Sequence, residues 1–170
     1  MIVGVAGPYA SGKGEVVDFL RARSFYAYSL SDVIREELAA RGETESRERM
    51  ITTGNALRAA EGPGALALRL LPKLEHDKNY VIDSIRHPAE VDALRQVSRF
   101  RLLWVEADEK LRFERLRRRA RPGDPESLET LRTLEGREQG GADPAGQRLR
   151  DVRALADHVL CNDGSLESLH

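Results

Sequence analysis

In the run Gly7-Pro8-Tyr9-Ala10-Ser11-Gly12-Lys13-Gly14-Glu15, two glycines and a lysine stand at the spacing G-x-x-x-x-G-K, which suits the gripping of a chain of phosphates. Glycine lets the backbone curl until consecutive N–H groups face one anion. Gly7, Ala10, Ser11, Gly12 and Gly14 are therefore assigned to the phosphates, and Lys13 to the outermost of them. Such loops usually continue with a Ser or Thr whose hydroxyl binds Mg²⁺. Gly14 has no hydroxyl, so the ion must be held by other groups. Asp83, which closes the apolar run Tyr80-Val81-Ile82, is the first candidate. Glu15 is the second, through the metal's water shell, with an ordinary helix-start acid as its alternative.

A second set of charged residues lies outside that loop. Asp32 and Arg35 sit one helical turn apart, Arg58 follows in a later helical stretch, and Arg86 comes soon after Asp83. These residues suit an acceptor held opposite a terminal phosphate, because in-line phosphoryl transfer asks the protein mainly to position two oxygens and neutralise equatorial charge. Six arginines between Arg112 and Arg121 add positive charge. Arg115 and Arg119, one turn apart, are expected to reach the transferring group, while the rest of the run includes ordinary solvated surface. A phosphate acceptor needs only arginines such as Arg35, Arg58 and Arg86. A hydroxyl acceptor needs a general base, for which Asp32 is the obvious candidate. Arginines outnumber that base, which favours a nucleoside monophosphate as the acceptor. The four histidines form no catalytic pattern, although His87 adjoins Arg86.

The elements that must position these groups follow from periodicity. An apolar run over residues 1–6 reads as a buried strand leading into the glycine loop, and Val16, Phe19, Leu20 and Arg23 share one face of the helix after it. Residues 25–28 form a short aromatic strand candidate; helices are expected over 29–41, 46–60 and 65–75, with Gly62-Pro63-Gly64 between the last two. Strands at 79–83 and 100–106 flank a helix that Pro88 starts and that runs to about residue 97. Trp104 reads as core, and Asp108 caps the arginine-rich helix. A turn over residues 122–125 then places Asp124 as cap and Pro125 first in a helix along Leu128, Leu131 and Leu134. Residues 140–146 are the most flexible-looking stretch; a helix over 147–156, a strand over 157–161, a tight turn at Asn162-Asp163-Gly164 and a terminal helix complete the chain. Five strands alternating with helices imply an α/β fold with a parallel sheet.

Composition bounds the function classes. A chain of 170 residues suits one domain with helices on both faces of a sheet. Net charge is -1, from 27 basic and 28 acidic side chains, which points to neither nucleic acid nor membrane. Cys161 is the single cysteine, no Cys/His cluster has zinc spacing, and no long apolar span or cleavable leader is apparent. A cytoplasmic protein, monomer or homodimer, is the expectation. No Asn-Lys-x-Asp stretch supports a guanine-reading switch. A regulatory nucleotide-binding domain without turnover stays open, favoured by the missing hydroxyl at Gly14.

Over most of its length the chain resembles the nucleoside monophosphate kinase group of P-loop proteins. In adenylate kinases the loop ends Gly-Lys-Gly-Thr, so Lys13-Gly14 matches and Glu15 departs; Asp32-Val33-Ile34-Arg35 matches the start of their acceptor helix, Val81-Ile82-Asp83 with Arg86 their next strand, and Arg115 with Arg119 their lid arginines. Dephospho-CoA kinases look similar too, in the acid at the acceptor-helix start and in the ending Ala-Asp-His-Val-Leu-Cys-Asn-Asp-Gly at residues 156–164. A loop ending Gly-Lys-Gly-Glu is similar to that of a poorly characterised branch of these kinase-like ATPases. The resemblance implies a three-layer sandwich with a five-stranded parallel sheet, a helical acceptor-binding insertion at about 30–75 and a short arginine-rich lid at about 115–146. It also implies ATP and Mg²⁺ as cofactors, Asn162 and Gly164 near the adenine, and a small nucleotide as acceptor. Phosphorylation of a hydroxyl, as in dephospho-CoA, is the alternative that it leaves.

Overall fold

The computed structural model describes residues 1–97, 99–121, 123–140 and 145–169. Among them five strands, β1 (Ile2–Ala6), β2 (Tyr26–Ser29), β3 (Tyr80–Asp83), β4 (Phe100–Glu106) and β5 (His158–Cys161), pair in the order β2-β3-β1-β4-β5, every pairing parallel. β1 is central because its side chains are apolar on both faces, as a strand covered on both sides requires. Alternation along it separates two cores. Ile2 and Ala6 join Leu30, Leu66, Ile82, Leu94, Leu102 and Trp104 on one face. Val3 and Val5 join Val16, Val81 and Val105 on the other. The first face is covered by α2 (Leu30–Ala40), α4 (Ala65–Leu70), α5 (Pro88–Arg95) and α8 (Leu149–Ala154), with α3 (Arg47–Glu61) packed on α2 and α4; the second is covered by α1 (Lys13–Arg21) and touched by α9 (Leu166–Leu169).

The helix starts follow local chemistry. Ser29 and Ser46 cap α2 and α3, Asp108 caps α6 (Glu109–Arg119), and His87 caps α5 with Pro88 in the first turn. Three expectations need correction. The helix expected over 65–75 stops at Leu70, and a single 3₁₀ turn, Leu71–Lys73, follows, because Pro72 has no N–H to continue the ladder. Asp124 does not cap the next helix: its carboxylate accepts from Arg119 and from the Arg121 N–H, and Ser127 caps α7 (Leu128–Glu138). The helix expected over 147–156 is confined to Leu149–Ala154. Of the stretch 140–146 expected to be flexible, residues 141–144 lie outside the described residues, as do Pro122 of the expected turn and His170.

The parallel order puts the carboxyl ends of β1, β3 and β4 side by side, so the glycine loop after β1, Asp83 at the end of β3 and the turn after β4 meet at one edge.

Candidate active site

The glycine loop is shaped by contacts that exclude side chains. At Gly7 (φ 150) a Cβ would lie 2.1 Å from the Val105 carbonyl oxygen, and at Gly12 (φ 102) one would lie 2.0 Å from Asn162 Nδ2. Buried Asn162 is a brace from the far side of the sheet: its Nδ2 donates to the Ser11 carbonyl at 2.9 Å, and its own carbonyl accepts from Arg115 Nη2 at 2.7 Å. Arg115 Nη1 also donates to the Ala10 carbonyl at 3.4 Å. At Gly12, the N-cap of α1, no side chain takes the first-turn amides; the short α4 and α8 also lack a side-chain cap, while α2, α3, α5, α6 and α7 have one. The uncapped end is an anion seat, with N–H groups and the positive pole of the helix facing the loop.

Lys13 lies in that loop, its Nζ donating to the carbonyls of Gly7 at 2.8 Å and Pro8 at 2.6 Å. Part of its stem is accessible, but desolvation of the ammonium, with Arg86 adding repulsion, lowers its pKa from 10.5 to about 7, against the opposing pull of Glu138 and Asp83. Asp83, at the end of β3, has a buried Oδ1 with no hydrogen-bond partner, and the Ser11 hydroxyl is likewise buried and unpartnered. An unsatisfied carboxylate oxygen near a phosphate loop fits a magnesium ion. Among the described residues no three His, Cys, Asp or Glu groups cluster to hold a metal, so such an ion would take its other ligands from phosphate and water. Glu15 is exposed, on the outer side of α1 beside Asp18, Phe19, Ala22 and Arg23, and does not line the cleft described next.

Beyond Tyr9 opens a cleft of about 710 Å³. Ile34, Met50, Ile51 and Leu66 give its lining apolar surface, and Arg35, Arg47, Arg58, Arg86 and Arg119 give it positive charge. Each of these arginines has an acidic or phenolic partner in the chain. Arg35 bonds Asp32 at 2.7 Å and Glu45 at 3.2 Å, all half-exposed. Asp32 also takes the Ser29 N–H with its other oxygen, completing the capping box of α2. Arg119 pairs with Asp124 through two bonds. Arg58 is 3 % exposed and gives Nε and Nη2 to Glu90 Oε1 at 3.0 and 2.9 Å, while Glu90 Oε2 takes the N–H groups of Arg86 and His87. Arg86 Nη1 donates to Glu138 at 2.6 Å and to Gln147 at 3.3 Å; burial works against its charge, but Glu138 and Tyr9 hold it above the usual guanidinium range.

The expected acceptor set thus separates. Arg35, Arg86 and Arg119 meet on one cleft, with Asp32 bound to Arg35; Arg58 reaches the wall but is held from behind, and Arg115 braces the glycine loop instead of entering the cleft. Asn162 acts on the loop backbone, and Gly164 follows it in the turn before α9, packed against Ser168. Periodicity reading missed the residues that join loop to cleft. Tyr9 donates its hydroxyl to Glu138 and receives a bond from Arg47, whose guanidinium lies 4.8 Å from its ring centroid; its N–H donates to Glu135 at 3.2 Å. Glu135 is held by buried Arg112, which also reaches the Tyr9 and Ala107 carbonyls. The available signal was the spacing of Glu135 and Glu138, which places two acids on one face of α7.

A family model described as "AAA domain" matches residues 3–134. A UPF0200 protein of Pyrococcus horikoshii is 34% identical over 170 residues, covering 96% of this chain and 88% of the relative. One of Hyperthermus butylicus is 33% identical, covering 98% and 88%. Among solved structures, TT1252 from Thermus thermophilus superposes with a TM-score of 0.59 at 24% identity, covering 99% of this chain and 92% of that one. A gluconokinase from Sinorhizobium meliloti gives 0.56 at 16% identity, covering 98% and 85%. The shikimate kinase of Aquifex aeolicus gives 0.52 at 15%, covering 99% and 90%. These likenesses bear out the kinase-like P-loop fold expected from the sequence. Among the described residues no helix is long and apolar enough to cross a membrane.

Proposed function

Because the chain belongs to the UPF0200 family of kinase-like P-loop proteins, we propose that it is an ATP-dependent nucleotide kinase that transfers the γ-phosphoryl of MgATP to a (deoxy)nucleoside monophosphate. The observation that carries this reading is the cleft that begins at Tyr9 of the glycine loop and is lined both by the apolar Ile34, Met50, Ile51 and Leu66 and by Arg35, Arg86 and Arg119. A flat base suits the apolar side chains and a phosphate the arginines. Its volume of about 710 Å³ has room for a nucleotide. Asp32 supports a phosphate acceptor over a hydroxyl one, since it does not line the cleft and its two oxygens are engaged by Arg35 and the Ser29 N–H.

In this reading the loop amides and the start of α1 hold the triphosphate, and Lys13 leaves the Gly7 and Pro8 carbonyls for the outer phosphates. Asp83 would hold Mg²⁺, which when bound neutralises charge on the phosphates. Arg86 and Arg119 orient the acceptor phosphate and balance charge at the transferred group, while Asn162 and Arg115 keep the loop in register. The experiment is an acceptor panel with MgATP read by ADP release. One nucleoside monophosphate should stimulate release, and Lys13→Ala should abolish it. Release indifferent to every acceptor would sink the reading in favour of an ATPase or switch.

A further inference from the structure

Glu138 is the last residue of α7, where the negative pole of the helix disfavours an acid, yet its side chain is buried at 6 % exposure and lines the acceptor cleft. Two donors and one ion-pair partner hold it there. Arg86 Nη1 donates at 2.6 Å, the Tyr9 hydroxyl donates to Oε1, and Arg47 Nη2, which donates to the Tyr9 hydroxyl, lies 4.0 Å from the same oxygen. These three side chains come from the loop after β3, the glycine loop and α3, and converge on one anionic group. Such a set fits a phosphate better than a carboxylate, because a phosphate brings three acceptor oxygens and up to two charges.

The buried pair Arg58–Glu90 shows the contrast. Both oxygens of Glu90 are consumed, and two of its four bonds come from the backbone N–H groups of Arg86 and His87. Among the described residues the partners of Glu138 are side chains, which can turn toward an incoming anion more readily than backbone N–H groups can. Arg86 keeps the neutral Gln147 oxygen in either arrangement.

We infer that Glu138 sits in the seat of the acceptor's anionic group and is a specificity-determining residue: an acceptor enters by displacing it from Arg86, Arg47 and Tyr9, so the cleft selects molecules that carry a phosphate and turns away neutral polyols. The inference rests on the nucleotide-kinase reading only for the identity of the acceptor. Displacement also frees the Tyr9 hydroxyl at the junction between cleft and glycine loop, leaving α7 attached to the loop through Glu135.

The test uses the full chain without nucleotide, and inorganic phosphate as the probe, by titration calorimetry. Glu138→Gln removes the competing charge and keeps the shape; it should bind phosphate about tenfold or more tightly than wild type, and adding Arg86→Gln should erase the gain. A phosphate affinity in Glu138→Gln equal to or weaker than wild type overturns the inference, and so does a gain that survives Arg86→Gln. Hydrogen exchange on wild type is the second measurement: phosphate should speed exchange of the amides at the end of α7, and unchanged or slower exchange there counts against displacement. If phosphate tightens as expected but no nucleotide is phosphorylated, the seat stands and the kinase reading falls. If a nucleotide is phosphorylated and phosphate does not tighten, the seat alone falls.

Discussion

Around Gly7 and Gly12 the chain is held by contacts that no side chain can negotiate: a carbonyl oxygen where one Cβ would stand, and the Asn162 amide where the other would. In the cleft beyond Tyr9 the order comes from side chains, with Arg35, Arg86 and Arg119 each bound to a carboxylate. Backbone fixes the loop in one shape before a ligand arrives, which suits a phosphate chain that is the same in every nucleotide. On the inference above, exchangeable ion pairs would leave the cleft stable when free and let an acceptor be chosen by its charges. The exception within the cleft is Arg58, which is as fixed as the loop.

That exception gives the largest expected effect. Arg58→Ala strands Glu90 in a dry interior and should cost about 3–5 kcal/mol of stability, seen as a lower midpoint in urea unfolding; a loss near zero would put Arg58 with the exchangeable pairs. Next, Gly7→Ala should introduce about 3 kcal/mol of strain, or roughly 100-fold in ATP affinity by calorimetry. Gly14→Ala, where a Cβ meets nothing within 4 Å, should bind ATP as wild type does. Equal behaviour of the two variants would remove the steric account of the loop.

Lys13 gives a smaller effect that depends on pH. With its pKa at about 7 in the free protein, Lys13 is neutral above that pH, and a bound triphosphate restores its charge. Binding therefore takes up a proton between about pH 7 and 10.5, and ATP affinity should fall by up to about tenfold per pH unit over that range. Calorimetry at pH 8 in two buffers of different ionisation enthalpy counts that proton; equal heats would contradict it. The smallest effect is at the cleft's rim. Arg35→Ala breaks half-exposed pairs and should cost about 0–1 kcal/mol of stability, yet raise the acceptor KM with the ATP KM unchanged. A stability loss comparable to that of Arg58→Ala would erase the distinction between fixed and exchangeable arginines.

The two regions were unequally legible for the same reason. The loop is one contiguous run, so the Gly7 to Glu15 spacing reveals it, as the apolar runs reveal β1, β3 and β4 and the acid that ends β3. The arginines of the cleft are visible as residues, but their partners are not: Arg58 meets Glu90, Arg119 meets Asp124, and Arg86 meets Glu138 on a different helix. Within α6, Arg112, Arg115 and Arg119 look equivalent in sequence, yet one holds Glu135, one braces the loop and one faces the cleft.

Sequence by itself determined the parallel α/β frame, the place of the phosphate loop and the presence of a second cationic site, because each rests on local spacing or on alternation along a strand. Tertiary structure alone decided that Arg58 meets Glu90, that Arg86 meets Glu138 and that Tyr9 joins them. Those pairings depend on chain segments far apart in sequence that are brought together only when helices close over the sheet, and charge composition carries no record of that geometry.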